Sequence, residues 1–219
     1  MFVEFKQTFN FEANLEIMED SRSKILNASA QLFVKNGFDG TSVRQIAREA
    51  GVNIAMISYY FKSKEGVLVD LINQTSNNMQ EKTKHIKDLD LEPRERISLL
   101  FRTYVDHFVD HDLVSYVFGT ELSLNRNQTI VDLILAIISR SNDYIYNCIK
   151  ACKPDLDDDI CRMLPVMVMG MVNKALSTPR AMDIALGNSS FSSQNNNEIR
   201  RYLHLFVQDY LDLQLGKAN

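Results

Sequence analysis

Only three cysteines occur in the 219 residues, an odd number with no CxxC pair. A disulfide-stapled scaffold is therefore excluded, and free thiols suit a reducing cytoplasm. No apolar run is long enough to span a bilayer, so no membrane association is expected. The N-terminus has no basic segment leading into an uninterrupted apolar run, so no signal peptide is expected. Phosphate-cradling glycine loops, nucleophile elbows, HExxH and paired carboxylates are all missing, which leaves an enzyme reading without chemistry and implies no cofactor. There is no internal repeat and no convincing strand pattern. What remains is an ordinary globular composition, 45% hydrophobic and 24% charged, long enough for one large or two modest cores.

The formal net charge is -4, but it is unevenly placed. Between Ser21 and Gly66, seven basic residues face three acidic ones, a net +4 that leaves -8 for the rest of the chain. A basic head on an acidic body concentrates affinity for phosphate on one part of the molecule.

That head contains the stretch Thr41 to Lys64, TSVRQIAREAGVNIAMISYYFKSK. Ser42 can cap a helix, with Gln45 three residues on to close a capping box. Val43, Ile46, Ala47 and Ala50 then fall at helical spacing. Gly51 follows where a helix end wants positive φ, and Asn53 can cap a second helix. In that second helix Ile57 and Phe61 point inward. A helix, a glycine-containing turn and a second helix of this size form the helix-turn-helix pattern, whose second helix enters the DNA major groove. On this reading Arg44 and Lys64 meet phosphates, helped by free amides at helix N-termini. Tyr60 offers a hydroxyl for the same role. Asn53, Ala55, Met56 and Tyr59 are best placed for base edges: Asn could pair with adenine, and Ala or Met could touch a thymine methyl. Ser42 and Ser58 complete the candidate DNA-binding set. Met56 and Tyr59 could instead pack on their neighbours.

The run GFDGTSVRQIAREAGVNIAMISYYFKSKEGVL resembles the DNA-binding domain of TetR-family transcriptional regulators. Gly37, Thr41, Ile46, Ala47, Ala50, Gly51, Val52, Phe61, Lys64 and Glu65 stand where the family pattern has them. One segment departs from it. Where the family has Leu-Tyr-x-His-Phe, this chain has Ile57-Ser58-Tyr59-Tyr60-Phe61, so Ser58 replaces a phosphate-touching tyrosine and Tyr60 takes the histidine position. The resemblance implies phosphate contacts by Arg44, Tyr60 and Lys64. It also implies a homodimer whose last two helices pair with their symmetry mates, and a body in which ligand binding changes the spacing of the DNA heads, most often for repression.

The expected fold is all-α, with three parts: an N-terminal extension at 1–19, a three-helix DNA-binding domain at 20–66, and a helical effector-binding and dimerisation domain at 67–219. In the extension, Val3, Phe5, Phe9 and Phe11 alternate like a strand but have no partner strand, and the segment is acidic. Met18 lies just before the first domain helix, so residues 1–17 are expected to be dispensable. Helices are expected from Ser21 to Asn36, from Lys64 to Lys87, from Pro93, over Leu113–Leu122, from Gln128 to Cys152, from about Asp158 with a kink or break at Pro165, and from Glu198 to Leu215. Residues 177–197 read as a connector with one helical turn near Ala181–Leu186.

Two constellations carry further expectations. Phe101, Tyr104, Phe108, Tyr116 and Phe118, with Met163, Met167 and Met171 from a later helix, are the candidate lining of a ligand cavity; the methionines could equally be core or dimer packing. The inward stripes hold no Lys or Arg, so the effector should be mainly hydrophobic. Ile199, Tyr202, Phe206, Val207 and Tyr210 form a stripe too wide for a lone surface helix, and Gly170 would permit close helix approach, which points to a dimer face. His107 and His111, four apart, have no accompanying metal motif; Cys148 and Cys152 read as small buried hydrophobes. The expected partners are double-stranded DNA, a second copy of the chain and a hydrophobic small molecule. A different class stays open beside this one: a protein-interaction module that DNA only localises.

Overall fold

The computed structural model describes residues 20–110, 122, 124, 125, 127–185, 187 and 196–217. The expectations for the N-terminal extension, for a helix beginning at Leu113 and for Tyr116, Phe118 and His111 lie outside these residues. Among the described residues all regular structure is helical, with no strand. The chain divides into two compact units, the first ending at Gln74 and the second beginning at Thr75. The division falls about two helical turns beyond the one expected at 66, inside a continuous helix.

The first unit holds α1 (20–36), α2 (Val43–Ala50), α3 (Ile54–Phe61) and the start of α4 (Lys64–Asp88). One face of α1 is apolar at helical spacing, and Ile25, Ala28, Ser29 and Phe33 are buried from it. Gly37, at φ 76, ends the helix, a conformation that costs a residue without Cβ little. Thr41 then ties the end of α1 to the start of α2: its buried hydroxyl lies within hydrogen-bond reach of the carbonyls of Gly37 (2.8 Å) and Leu32 (3.1 Å). Ile46, Ala47, Ile57 and Phe61 fill the small core between the helices.

The second unit holds the remainder of α4, α5 (Pro93–Asp110), α6 (Gln128–Cys152), α7 (Asp158–Ser177), α8 (Pro179–Ala185) and α9 (Asn196–Leu215). Helix α5 is its centre and packs against α6, α7 and α9. Ile97, Leu100, Phe101, Val105 and Phe108 bury its stripe. Polar contacts fix α9 on α5. The buried Arg94 pairs with Asp212 and donates to the Gly216 carbonyl at 2.8 Å. Arg200 and His204 share Asp106, at 3.1 and 2.8 Å. All three cysteines are free thiols, and burial pushes the Cys148 thiol up, so it behaves as a small apolar side chain.

Two expectations for α7 are corrected. The helix continues through Pro165, so of the kink or break expected there the break does not occur. Of the expected stripe Ile160, Met163, Leu164, Met167, Val168, Met171 and Ala175, the residues Leu164, Val168 and Ala175 are buried, together with Cys161, Pro165 and Val172, whereas Ile160, Met163 and Met167, like Val166, are exposed. The cause is that α7 is apolar nearly all round, so the 3.6 period offers two equally good stripes. By length and composition alone it is also apolar enough to cross a membrane, which the run-length reading did not anticipate. Helix α8 begins at Pro179, two residues before the expected turn, because proline's fixed φ suits the first helical position.

Candidate nucleic-acid interface and ligand cavity

The first unit presents a helix-turn-helix whose caps are all made. Gln45 Nα donates to Ser42 Oγ at 3.3 Å, and Ser42 Nα donates to Gln45 Oε1 at 2.8 Å. Gly51 closes α2 at φ 65. Asn53 Oδ1 accepts from Ala55 Nα at 2.9 Å and starts α3. This cap has a consequence for recognition. Pairing with adenine uses both the oxygen and the nitrogen of an asparagine; the oxygen already accepts from Ala55, so an adenine amino group would have to take its second lone pair while the cap holds.

Along α3, Ile57 and Phe61 are buried, whereas Ala55, Ser58 and Tyr59 are exposed and share one face. Tyr59 is 71% exposed, which decides against its packing as core. Its ring meets Tyr60 edge-on at 5.1 Å, so the two phenols stand as a pair. Met56 and Tyr60 are half-buried at the flanks of that face.

The basic residues sort differently from the way charge alone suggests. Arg44 is exposed at the start of α2. Lys64 turns inward: Nζ donates to the Phe38 and Thr41 carbonyls at 2.7 and 2.9 Å and lies 4.2 Å from the Phe38 ring centre. It therefore holds the turn between α1 and α2 against the start of α4, and removing it perturbs the fold before it touches any phosphate. Arg22 pairs with Asp70 at 2.7 Å and Lys24 with Asp20 at 2.5 Å. Arg48 and Lys62 are exposed and make no ion pair among the described residues. Lys62 follows α3 directly, one helical turn beyond Ser58 and Tyr59. Neither residue was singled out from the sequence; their charge was the only signal, and it did not separate them from Arg22 or Lys24.

The second unit contains a cavity of about 80 Å³. Helix α4 contributes Thr75, Ser76, Met79, Gln80 and Thr83; α5 contributes Phe101, Tyr104, His107 and Phe108; α6 contributes Ile137, Ile138, Ser141, Asn142 and Ile145; α7 contributes Pro165 and Met169. Phe101, Tyr104 and Phe108 thus meet at one wall. Met163 and Met167 do not reach it, being 58% and 50% exposed on the far side of α7, and Met171 is not among the lining residues either. Of the expected α7 stripe, Leu164, Val168 and Ala175 turn inward and Met163 and Met167 turn to the surface. Among the described residues no Asp, Glu, Lys or Arg lines the cavity. Tyr104 supplies a phenol beside Ser141, and burial pushes its ionisation up, so it remains a neutral donor.

The candidate dimer residues also divide. Phe206 is 61% exposed on α9, while Val207 is buried within its own unit with Leu203 and Leu211. Ile199, Tyr202 and Tyr210 are half-buried between those two faces. Gly170 is exposed, with nothing within 4 Å of the position a Cβ would take.

Comparison with known proteins bears on the first unit most directly. Residues 25–71 match the family model of bacterial regulatory proteins of the tetR family. A Bacillus subtilis strain 168 protein named "probable HTH-type transcriptional regulator YttP" is 48% identical over 54 residues, 25% of this chain and 26% of that one. The uncharacterized helix-turn-helix-type transcriptional regulator YvkB of the same strain is 30% identical over 129 residues, covering 53% of this chain and 67% of YvkB. The aligned segments span 26%, 56% and 59% of three of the curated relatives. AibR, solved in complex with isovaleryl coenzyme A and operator DNA, shares the fold at a TM-score of 0.67 and 16% identity, over 90% of this chain and 100% of AibR. With the capped helix-turn-helix of the first unit and the helical second unit both accounted for, the chain belongs to the TetR family of DNA-binding transcriptional regulators.

Proposed function

We propose that the protein is a homodimeric repressor that binds a palindromic operator through α2 and α3 and is released by a mainly hydrophobic small molecule. The observation that carries this reading is α4. The helix begins at Lys64 beside the helix-turn-helix, and its later residues Thr75, Ser76, Met79 and Thr83 wall the apolar cavity. A ligand in the cavity touches the helix that also belongs to the DNA-binding unit, so it can favour one arrangement of that helix by its differential affinity. The likeness in fold to AibR, which was solved with both an acyl thioester and operator DNA, supports a switch of this kind. The exposed apolar faces of α7 and α9 supply surface for a second copy.

The test is selection of bound duplexes from a random pool, followed by binding at several salt concentrations. The selected sites should be palindromic, with half-sites about one helical turn or slightly more apart. Arg44→Ala should weaken every duplex alike and reduce the salt slope by about 1. Substitution of Tyr59 or Met56 should instead change which sequences are preferred. Apolar small molecules that raise the melting temperature should also lower operator affinity. If no thermal-shift hit changes DNA affinity, the ligand switch fails, and the exposed apolar faces point to the DNA-localised interaction module instead.

A further inference from the structure

Beside the apolar cavity lies a second hollow in the same unit, and the two share Gln80, Thr83, Tyr104 and Ser141 as their common wall. Their chemistry is opposite. Among the described residues the inner cavity is lined by no Asp, Glu, Lys or Arg and by one histidine, His107, whereas the outer hollow is lined by Lys84 and Lys87 of α4 and Arg140 of α6, with Glu81 as its one acidic residue. None of the three cations has a carboxylate within 4.0 Å among the described residues. Lys87 lies 4.3 Å from the Tyr144 ring centre, and Arg140 uses only its Nε, on the Ala136 carbonyl at 3.3 Å. The Lys84 ammonium and the terminal nitrogens of Arg140 are thus left for a ligand or for water, and the Lys87 ammonium keeps the side away from the Tyr144 ring open.

We infer that the effector is an acyl amphiphile whose short apolar tail occupies the inner cavity and whose anionic head is held in the outer hollow by Lys84, Lys87 and Arg140. This rests on the ligand-switch reading above and gives its ligand a chemical class. An anion deep in the inner cavity, whose described lining offers no Lys or Arg, would be costly to desolvate; at the outer hollow it meets three cations that keep their contact with water. Tyr104 and Ser141, on the shared wall, stand where a tail joins a head; the Ser141 hydroxyl already donates to the Ile137 carbonyl at 3.2 Å, so the Tyr104 phenol is the group that can turn to a ligand carbonyl there. The size of the inner cavity limits the tail. At about 80 Å³ it suits a short tail. Two sources share this chemistry: a free acid, whose head is a carboxylate, and a coenzyme A ester, whose head carries phosphates.

Calorimetry with the full-length chain separates these outcomes, using hexanoate, hexanoyl-coenzyme A and 1-hexanol as probes with one tail and three heads. At least one anionic probe should bind on the order of tenfold more tightly than 1-hexanol for each cation engaged. Hexanoate or hexanoyl-coenzyme A, whichever is the tighter, names the head. The exposed-surface double variant Lys84→Gln/Arg140→Gln should lose most of that excess and bind 1-hexanol unchanged. Ile138→Trp, which fills the inner cavity, should abolish binding of all three probes. Equal affinity for 1-hexanol and both anionic probes, or an excess that survives the double variant, would overturn the anionic head while leaving a hydrophobic effector standing. If no probe binds even at millimolar concentration, this inference fails together with the ligand switch.

Discussion

Replacing Gly66 with alanine is expected to unfold the DNA-binding unit while leaving the second unit folded. A Cβ at this position would stand 1.9 Å from the Phe61 carbonyl oxygen and 3.0 Å from its carbon. Both atoms belong to the backbone at the end of α3, so no side-chain rotation can relieve the clash. The junction cannot open freely either. Gly66 Nα donates to the Ser63 hydroxyl at 3.1 Å, and Lys62 Nα donates to the Ser58 carbonyl at 3.1 Å. Phe61 is also anchored in the core at 5% exposure. Overpacking against a fixed backbone costs about 3 kcal/mol, and a unit this small loses on the order of 15 °C of melting temperature for that amount. Calorimetry should show one early transition moved down and a later one unchanged, with operator binding lost at the temperature of the first. Gly51→Ala is the control. Its neighbourhood is open, but φ is 65, so it should cost only about 1 kcal/mol. Equal effects of the two substitutions would show that the close approach at Gly66 is not what holds α3 to α4.

The helix-turn-helix was legible in the sequence to the residue because its signals are local. The Ser42–Gln45 box, the Gly51 turn and the Asn53 cap are decided within four residues of chain and appear in the structure as written. The start of α5 and both limits of α6 were equally readable, since proline at 93 and clear apolar stripes mark them. The parts that escaped depend on distant partners. Lys64 looked like a free cation because nothing local reveals that the Phe38 and Thr41 carbonyls, more than twenty residues away in sequence, come within its reach. The cavity wall from α7 was misassigned for a related reason. With valine or methionine at 163, 166, 167, 168 and 169, the period does not choose a face; packing against α5 and α6 does. The outer basic hollow drew no attention either, because Lys84 and Lys87 belong to α4 and Arg140 to α6, and only tertiary structure brings them together.

The same ambiguity in α7 leads to the second large effect. A helix apolar nearly all round has two faces to account for, and the second unit covers one. On the other, Ile160, Met163, Val166 and Met167 are 43 to 58% exposed, and on α9 Leu205 and Phe206 are 51% and 61% exposed. If these faces meet their symmetry mates, each buried anchor is repeated by the two-fold axis. Phe206→Glu should then cost about 3 kcal/mol per copy, which for two copies weakens self-association on the order of 10⁴-fold. Because Phe206 is already mostly in solvent within its own chain, the variant's monomer should keep its helical content. Val207→Ala separates the two effects: that side chain is 3% exposed, so truncation should lower the melting temperature by about 2 kcal/mol worth of stability with little change in assembly. Gly170 adds a test with the opposite sign. Alanine there meets nothing within 4 Å in the single chain and improves helix propensity by up to about 1 kcal/mol, so an isolated subunit should gain stability; where two α7 helices approach closely the same methyl group should weaken the dimer. Sedimentation below micromolar concentration reads all three. A parent chain that sediments as a monomer there, or a Phe206→Glu variant that stays dimeric, would mean that these apolar faces serve a different partner.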